Sequence, residues 1–366
     1  MIASIGILSD SSTASKKKTD VALYPFEIAK EISKGLHIAG SGLINSNGKI
    51  IVKPKYSRIN HFSEGLAYFL YVNDKGNISI GYFNTKGKIA IKFDATHGED
   101  FSDGLAMVAK DFAGKKGYIN KKGKLVIPMK FDHARPFNQG YAKVAVEVNG
   151  KLKMGLIDKK GNYALKPVYD YSGIVSPYSE GLVAMHKDGK MGYLNLKGEW
   201  VIKPQYQVAN CFRDGYATVG DSSSSSIIDK KGKTILYEYA AALYCVGKHL
   251  YKYCKYTGSG YTTGLVNLKG QTVIPAQYSQ VVFTPSEGLI AVRKNGLWGF
   301  INMKNQLVIK HQFISARKFQ NGLSSVILPN RRNAIIDKTG KFIWVQPDPT
   351  KITDKQADGL RNPFAN

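Results

Sequence analysis

Acidic residues are scarce in this chain, cysteines scarcer, and long apolar runs absent. Against 27 Asp and Glu stand 52 Lys and Arg, a net charge of +25 over 366 residues. Such an excess attracts polyanions: acidic proteins, nucleic acid or anionic head groups. The three cysteines, Cys211, Cys245 and Cys254, are odd in number and follow no framework spacing, which argues against a disulfide-stapled domain. No apolar stretch approaches the length of a membrane-spanning helix. The first residues are apolar and the lysines Lys16, Lys17 and Lys18 follow them, the reverse of a secretory signal, so a polar leader is expected. The compartment stays open between the cytoplasm and export without a cleavable signal. Metalloprotease helices, phosphate loops and nucleophile elbows are missing, and no long helical pattern follows any glycine.

What the chain has instead is recurrence. The stretch GLIDKKGNYALK from Gly155 returns as GLINSNGKIIVK from Gly42, GYFNTKGKIAIK from Gly81, GYINKKGKLVIP from Gly117 and GYLNLKGEWVIK from Gly192. It appears again from Gly264 and Gly299 and, less cleanly, from Ser226 and Ala334, with starts 34 to 39 residues apart. A period in that range marks a repeat architecture. Within each copy two apolar runs flank Asp or Asn, two further residues and a Gly. Asx side chains bond their own backbone and Gly accepts the positive φ of a tight return, so each copy reads as a hairpin. Asn305 replaces the glycine once, as the other residue that tolerates the left-handed region.

A second phrase, acid-Gly-Leu in most copies, places glycines at Gly65, Gly104, Gly140, Gly181, Gly215, Gly288 and Gly322. Gly35, Leu36, His37 and Ile38 read as its first copy, after EIAKEISKG, the one modest helical pattern. Between hairpin and phrase runs a connector of Pro and two aromatics. Tyr56, Phe131, Tyr169, Tyr206, Tyr278 and Phe313 share one offset; Phe62, Phe101, Phe137, Tyr178, Phe212 and Phe319 share another. Rings at fixed steps read as pegs between units, with a ligand-stacking ladder as the other use.

The expected fold is all-β: about nine three-stranded antiparallel meanders in tandem. Residues 1–25 form a polar leader, 26–346 the array and 347–366 a polar tail. An open superhelical array is favoured, because about 37 residues per unit leave little room for the fourth strand of a propeller blade; propeller-like closure is the alternative.

These phrases resemble the WG repeat family, also called KWG repeats, in which a Trp-Gly pair opens the hairpin. The resemblance covers roughly residues 33 to 345, but the namesake pair survives only at Trp298-Gly299, its place elsewhere holding Ile80, Lys116, Met154, Met191 or Thr263. It implies a bacterial interaction module with no catalytic residues to carry over.

Departures from the repeat locate the candidate site. The sixth copy dissolves between Tyr237 and Tyr261, where lysines alternate with tyrosines: Lys248, Tyr251, Lys252, Tyr253, Lys255 and Tyr256. That alternation suits a phosphate groove with stacking rings. It equally suits a half-buried strand with Tyr inward and Lys outward. Lysines on hairpin tips likewise serve either a partner or the solvation of turns and sheet edges. The Ser222–Ser226 run reads as a loop interrupting the array, at a binding edge or as a tolerated insertion. His97 and His133 share a repeat offset, and Cys245, His249 and Cys254 cluster, but neither group has the ligand set of a metal site.

The expected function is a monomeric, non-enzymatic scaffold without cofactor or metal, binding an acidic protein through its lysines, the divergent sixth unit and Trp298. Direct binding of nucleic acid or an anionic membrane surface is the alternative.

Overall fold

The computed structural model describes residues 22–348 except 33–34, 73–75, 172, 174–175, 222–223, 239–242, 259 and 282–284. Most of the expected leader and tail, 1–21 and 349–366, lies outside the described residues. Among those described there are 34 strands, no α-helix, and no helix long and apolar enough to cross a membrane.

Unit 2 shows the plan. Arg58–Ile59, Leu66–Val72, Ile78–Asn84 and Ile89–Phe93 form a four-stranded antiparallel sheet in chain order. The hairpin is set by Asn84, whose Oδ1 accepts the backbone N–H of Lys86 and of Lys88, both at 3.0 Å, while Gly87 turns the chain at φ 72°. Asn or Asp makes the same pair of bonds at residues 45, 120, 158, 195, 229, 267, 302 and 337. The recurrent Asx is therefore the device that fixes register in all nine units.

The fourth strand is new relative to the sequence reading, and it is small. The acid-Gly phrase is a two-residue turn with both residues left-handed, Glu64 at φ 51° and Gly65 at φ 83°. It folds two residues of the connector back onto the long strand as Arg58–Ile59, so a fourth strand costs almost no chain. Units 4 and 5 share one seven-stranded sheet through a single pairing, Asp170 with His186.

Unit 1 corrects two expectations. Residues 27–32 of EIAKEISKG lie in strand Leu23–Ile32, paired with Gly35–Asn45, and not in a helix, with 33–34 outside the described residues. Tyr24, Phe26 and Ile28 are buried at a period of two, the strand period. Leu23 pairs with Asn45 as Leu66 pairs with Asn84, so Gly35 and Leu36 stand at the far end of the hairpin and are not the acid-Gly turn.

The core lies between units. Phe101, Phe137, Phe212 and Phe319 are each 1% exposed and meet Tyr82, Tyr118, Tyr193 and Phe300 of the preceding unit edge-on, every pair at 4.8 Å. Tyr82, Tyr118 and Tyr193 also donate their hydroxyls at 2.7 Å to the carbonyls of Glu99, Arg135 and Asn210. The connector aromatics are thus pegs, and each seam combines ring burial with a satisfied hydroxyl.

Hairpin tips lean on the outer strand of the preceding unit. A Cβ on Gly123 would come 3.0 Å from Ile91, one on Gly161 3.1 Å from Ile127 and one on Gly340 3.1 Å from Ile309. The first and last units repeat this contact: a Cβ on Gly48 would lie 2.7 Å from the Ile343 carbonyl oxygen. At the same junction the Ser325 N–H donates to the Tyr24 hydroxyl at 3.2 Å, and Phe26 meets Trp344 edge-on at 4.8 Å. The ends of the array are therefore in contact, as propeller-like closure requires.

Candidate functional site

The hairpin tips carry two kinds of lysine. At the first tip position Lys121, Lys230 and Lys338 lie 2.9, 3.1 and 3.8 Å from Glu64, Glu180 and Glu287 of the preceding unit. Those same carboxylates accept the N–H of Gly104, Gly215 and Gly322 at 3.0, 3.0 and 2.9 Å. Burial alone would raise the Glu64 and Glu180 carboxyls, but the lysine and glycine hydrogen bonds and the lysine charge hold them below the usual range. Where the preceding unit carries Gln139, its Oε1 accepts the Glu180 N–H at 2.6 Å and the tip residue is Leu196 instead of Lys. Three of the four first-position lysines are thus clamps between units, while Lys159 makes no ion pair among the described residues.

Second-position lysines are different. Lys86, Lys122, Lys160, Lys197, Lys231, Lys269 and Lys304 are exposed in seven of the nine units, and no ion pair holds any of them among the described residues. They stand on the same turn of each unit and hence on one rim.

The divergent stretch is divided between two units. Thr234–Glu238 closes unit 6, residues 239–242 lie outside the described residues, and Tyr244–Gly247 opens unit 7. The divergence assigned to a sixth copy therefore belongs mainly to the seventh unit. Lys248 and His249 occupy the acid-Gly turn, at φ 50° and 57°. The Lys248 N–H donates to Asp214 Oδ2 at 3.2 Å, and His249 Nε2 lies 3.0 Å from the Asp214 carbonyl oxygen. The seam bond survives although glycine is gone, which is why the phrase was unreadable in sequence.

Tyr251 is fully buried among Ile227, Leu243 and Val266, with Tyr253 packed on the same cluster and the Tyr251 hydroxyl buried without a hydrogen-bond partner among the described residues. Lys252 points to the other face, its Nζ 4.7 Å from the centroid of the Tyr244 ring. Lys255 and Tyr256 are exposed at the strand end, where Tyr256 and Tyr261 set their rings 5.3 Å apart. Trp298 is half-buried against the seam of units 8 and 9, apart from all of these. The candidate residues thus fall into separate places: a turn, a buried face, an exposed strand end and another seam.

The serine run is also relocated. Ser225 and Ser226 pair with Gly220 and Val219, and Asp221 and Ser224 close the turn, with Ser222 and Ser223 outside the described residues. The described residues of the run belong to a strand pairing inside unit 6 and do not interrupt the array.

Among the described residues no group of His, Cys, Asp or Glu could hold a metal ion. The cysteines are free thiols, and burial pushes Cys211 up. His97 and His133 do share a wall, lining a cavity of about 200 Å³ with Glu99, Phe112, Arg135 and Tyr171. Burial and then Lys116 lower both imidazoles.

Sequence reasoning missed Lys143. It is 2% exposed, has no carboxylate partner among the described residues, and donates from Nζ to the Ala184 carbonyl at 2.6 Å across the seam of units 4 and 5. Burial drives this amine down to about 7. Its signal was available: Ala184 and Thr218 hold its place in the next two units. Also missed were polar residues on or just after the short strands, Arg58, Asn60, Asp100 and Arg317, which line one cavity beside the contact of the first and last units.

Against known proteins, the repeat described as "WG containing repeat" matches residues 42–75, 80–112, 117–151, 154–190, 191–220, 264–298 and 298–328, well over half of the chain. The chain belongs to the WG repeat family. The matched WG repeats omit residues 221–263, the stretch in which Lys248-His249 replaces acid-Gly. No curated protein matches the chain. Among solved structures it is similar to BamB from Moraxella catarrhalis, at 13% identity over 76% of this chain and 95% of that one, TM-score 0.44. The C-terminal WD40 domain of Sif2 is similar at 13% identity over 78% and 97%, TM-score 0.46, and apo AztD from Citrobacter koseri at 11% over 89% and 95%, TM-score 0.39. Likeness at that level carries no functional argument.

Proposed function

We propose that this WG repeat protein is a non-enzymatic scaffold that holds an acidic protein partner against the rim of second-position tip lysines. The observation that carries this reading is the recurrence of an exposed, unclamped lysine on the same turn of seven units, whereas three of the four first-position lysines are spent on seams. Rim charges of this kind steer encounter and select for acidic surfaces more than they add affinity. A triple variant, Lys122, Lys160 and Lys197 each to Glu, tests it by pull-down against the full chain and the matching triple Arg variant. Acidic proteins recovered by the full chain and by the Arg variant, and lost with Glu, support the scaffold. Equal recovery by all three rejects it.

The exposed Tyr256 and Tyr261 rings beside Lys255 favour one alternative, direct binding of nucleic acid or anionic lipid. Affinity for a generic duplex or for anionic vesicles that falls linearly on a log-log salt plot, and collapses in a Lys255→Glu/Tyr256→Ala variant, would favour that alternative.

A further inference from the structure

Units 2, 3, 4, 6, 8 and 9 each carry the two-residue strand at one edge, and unit 7 has Tyr244–Gly247 in that place. In unit 5 the corresponding residues, 174–175, lie outside the described residues. Unit 1 differs: it opens on Leu23–Ile32, which among the described residues is the edge of a three-stranded sheet. Leu23 matches Leu66, so the pairings of Arg58 with Leu70 and Ile59 with Phe69 in unit 2 fall on Glu27 and Phe26 in unit 1. Pro25, Phe26 and Glu27 instead line a cavity of about 560 Å³, together with Ser315 from the short strand of unit 9 and Arg58 and Ile59 from that of unit 2. A strand edge left open beside such a gap is a template for one more strand.

The tail is written as that strand. In the six units named first, the two residues come from the connector that follows the outer strand of the preceding unit. Around a closed ring, the connector that serves unit 1 is the one after Phe342–Val345 of unit 9. Pro54 and Pro204 stand four residues before Arg58 and Val208, and Pro347 stands four before Lys351. Asp358-Gly359-Leu360 is a further acid-Gly-Leu phrase, and Gly359 follows Lys351 by eight residues as Gly288 follows Gln280. Both counts put Lys351 opposite Glu27 and Ile352 opposite Phe26. Opposite charges facing across a pair of strands attract. The second position is apolar and buried at Ile59, Ala134, Ala209, Val281 and Ala316, which suits Ile352. The leader fits poorly, since SKKKTDVA before Leu23 has no glycine and brings Lys16 to the buried position.

Unit 9 holds matching seam positions. In unit 3 the Asp103 carboxylate accepts the Gly140 N–H at 2.6 Å and the Ser102 hydroxyl donates to the carbonyl of the peg Phe137 at 2.6 Å. Asn321 and Gln320 occupy those places in unit 9 and line a second cavity, of about 230 Å³, beside Leu23 and Tyr24. The Gly359 N–H and the Gln356 carbonyl are their counterparts by offset. Gln356 replaces the peg ring just as Ile335 replaces Tyr82 across the seam, so the ring pair is missing from both sides at once.

We propose that residues 349–360 fill this gap, with Lys351 and Ile352 paired to Glu27 and Phe26 as the fourth strand of unit 1. The tail thereby closes the ring by completing the unit that begins it. This inference does not depend on the lysine rim.

The test treats the unaltered full chain with a carbodiimide, which joins a carboxylate to an amine in contact with it, and reads the monomer by peptide mass. The expected product is an amide between Glu27 and Lys351. Amide hydrogen exchange in residues 26–28 is then compared between the parent and an Ile352→Asp variant, altered in the tail alone. Exchange there is expected to quicken roughly tenfold or more, as loss of a neighbouring strand requires, while residues 66–72 of unit 2 stay as they were. Coupling of Glu27 to Lys16, Lys17 or Lys18 would assign the gap to the leader, and a Glu27–Lys351 link found only in covalent dimers would assign it to a second copy. Either result overturns the proposal, as does the absence of a Glu27–Lys351 link or unchanged exchange in Ile352→Asp.

Discussion

Glu64 of unit 2 takes the Lys121 ammonium of unit 3 at 2.9 Å and the Gly104 N–H of the same unit at 3.0 Å. The ion pair is partly exposed, with side chains 45% and 30% accessible, so its coupling is screened and modest. A double-mutant cycle of Glu64→Gln and Lys121→Met is expected to give about 0.5 kcal/mol. Because the Glu64 carboxyl titrates below its ordinary value, the coupling is present above the unfolded carboxyl range and is lost as pH falls through the folded value. A coupling equal at pH 7 and pH 3 would refute the clamp.

Lys143 acts in the same direction in a different pH window. Its amine titrates at about 7 in the fold against 10.5 ordinarily, so between those values the unfolded chain binds the extra proton. Its contribution to stability is complete above pH 10.5, declines as pH falls to about 7, and stays constant below. Lys143→Met should raise stability at pH 6 by a few kcal/mol, on the order expected for removing an unpaired buried charge, and by much less at pH 10. Urea midpoints at the two pH values check this; an equal gain at both would show that the charge plays no part.

Two buried tyrosines should respond unlike one another. The Tyr82 hydroxyl donates to the Glu99 carbonyl at 2.7 Å, whereas the Tyr251 hydroxyl is buried without a partner among the described residues. Tyr82→Phe is expected to cost about 1 to 2 kcal/mol. Tyr251→Phe should be neutral or stabilising, and a comparable loss at both positions in denaturant unfolding would contradict the assignment.

Closure of the ring gives the fourth expectation. Phe26→Ala removes the ring that meets Trp344 and should loosen the join while the internal seams persist. Hydrogen exchange then rises in residues 23–28 and 333–345, and X-ray scattering shows a larger radius of gyration. Unchanged exchange there, with general destabilisation elsewhere, would argue that the ends do not hold one another.

The hairpins were readable because their code is local. Asn84, Gly87 and the apolar runs around them lie within a dozen residues, and the same chemistry is written nine times. The pegs were readable for the same reason, since Phe101 and Phe137 stand at a fixed offset from the tips. The two-residue strands were not, because they depend on Glu64 adopting a left-handed turn that few residues other than glycine visit. Gly35-Leu36 imitated the acid-Gly phrase by composition, and only pairing with Ile32 revealed its place. Lys248-His249 did the reverse, taking the turn without its composition. The contact of Tyr24 with Ser325 spans almost the whole chain, and no local pattern encodes it. The lysine–tyrosine alternation of unit 7 predicted opposite faces correctly at Tyr251 and Lys252, but both faces meet neighbouring units, so neither is a free groove.

The packing of Gly48 on Ile343 is the contact made by Gly123 on Ile91 and by Gly340 on Ile309. A polypeptide joined to itself in this manner has no privileged beginning. Its termini could be relocated to another boundary between units by linking the present ends, with every seam kept. Excision of one whole unit is a different matter, since the eight that remain would have to bend further at every seam before their ends could meet.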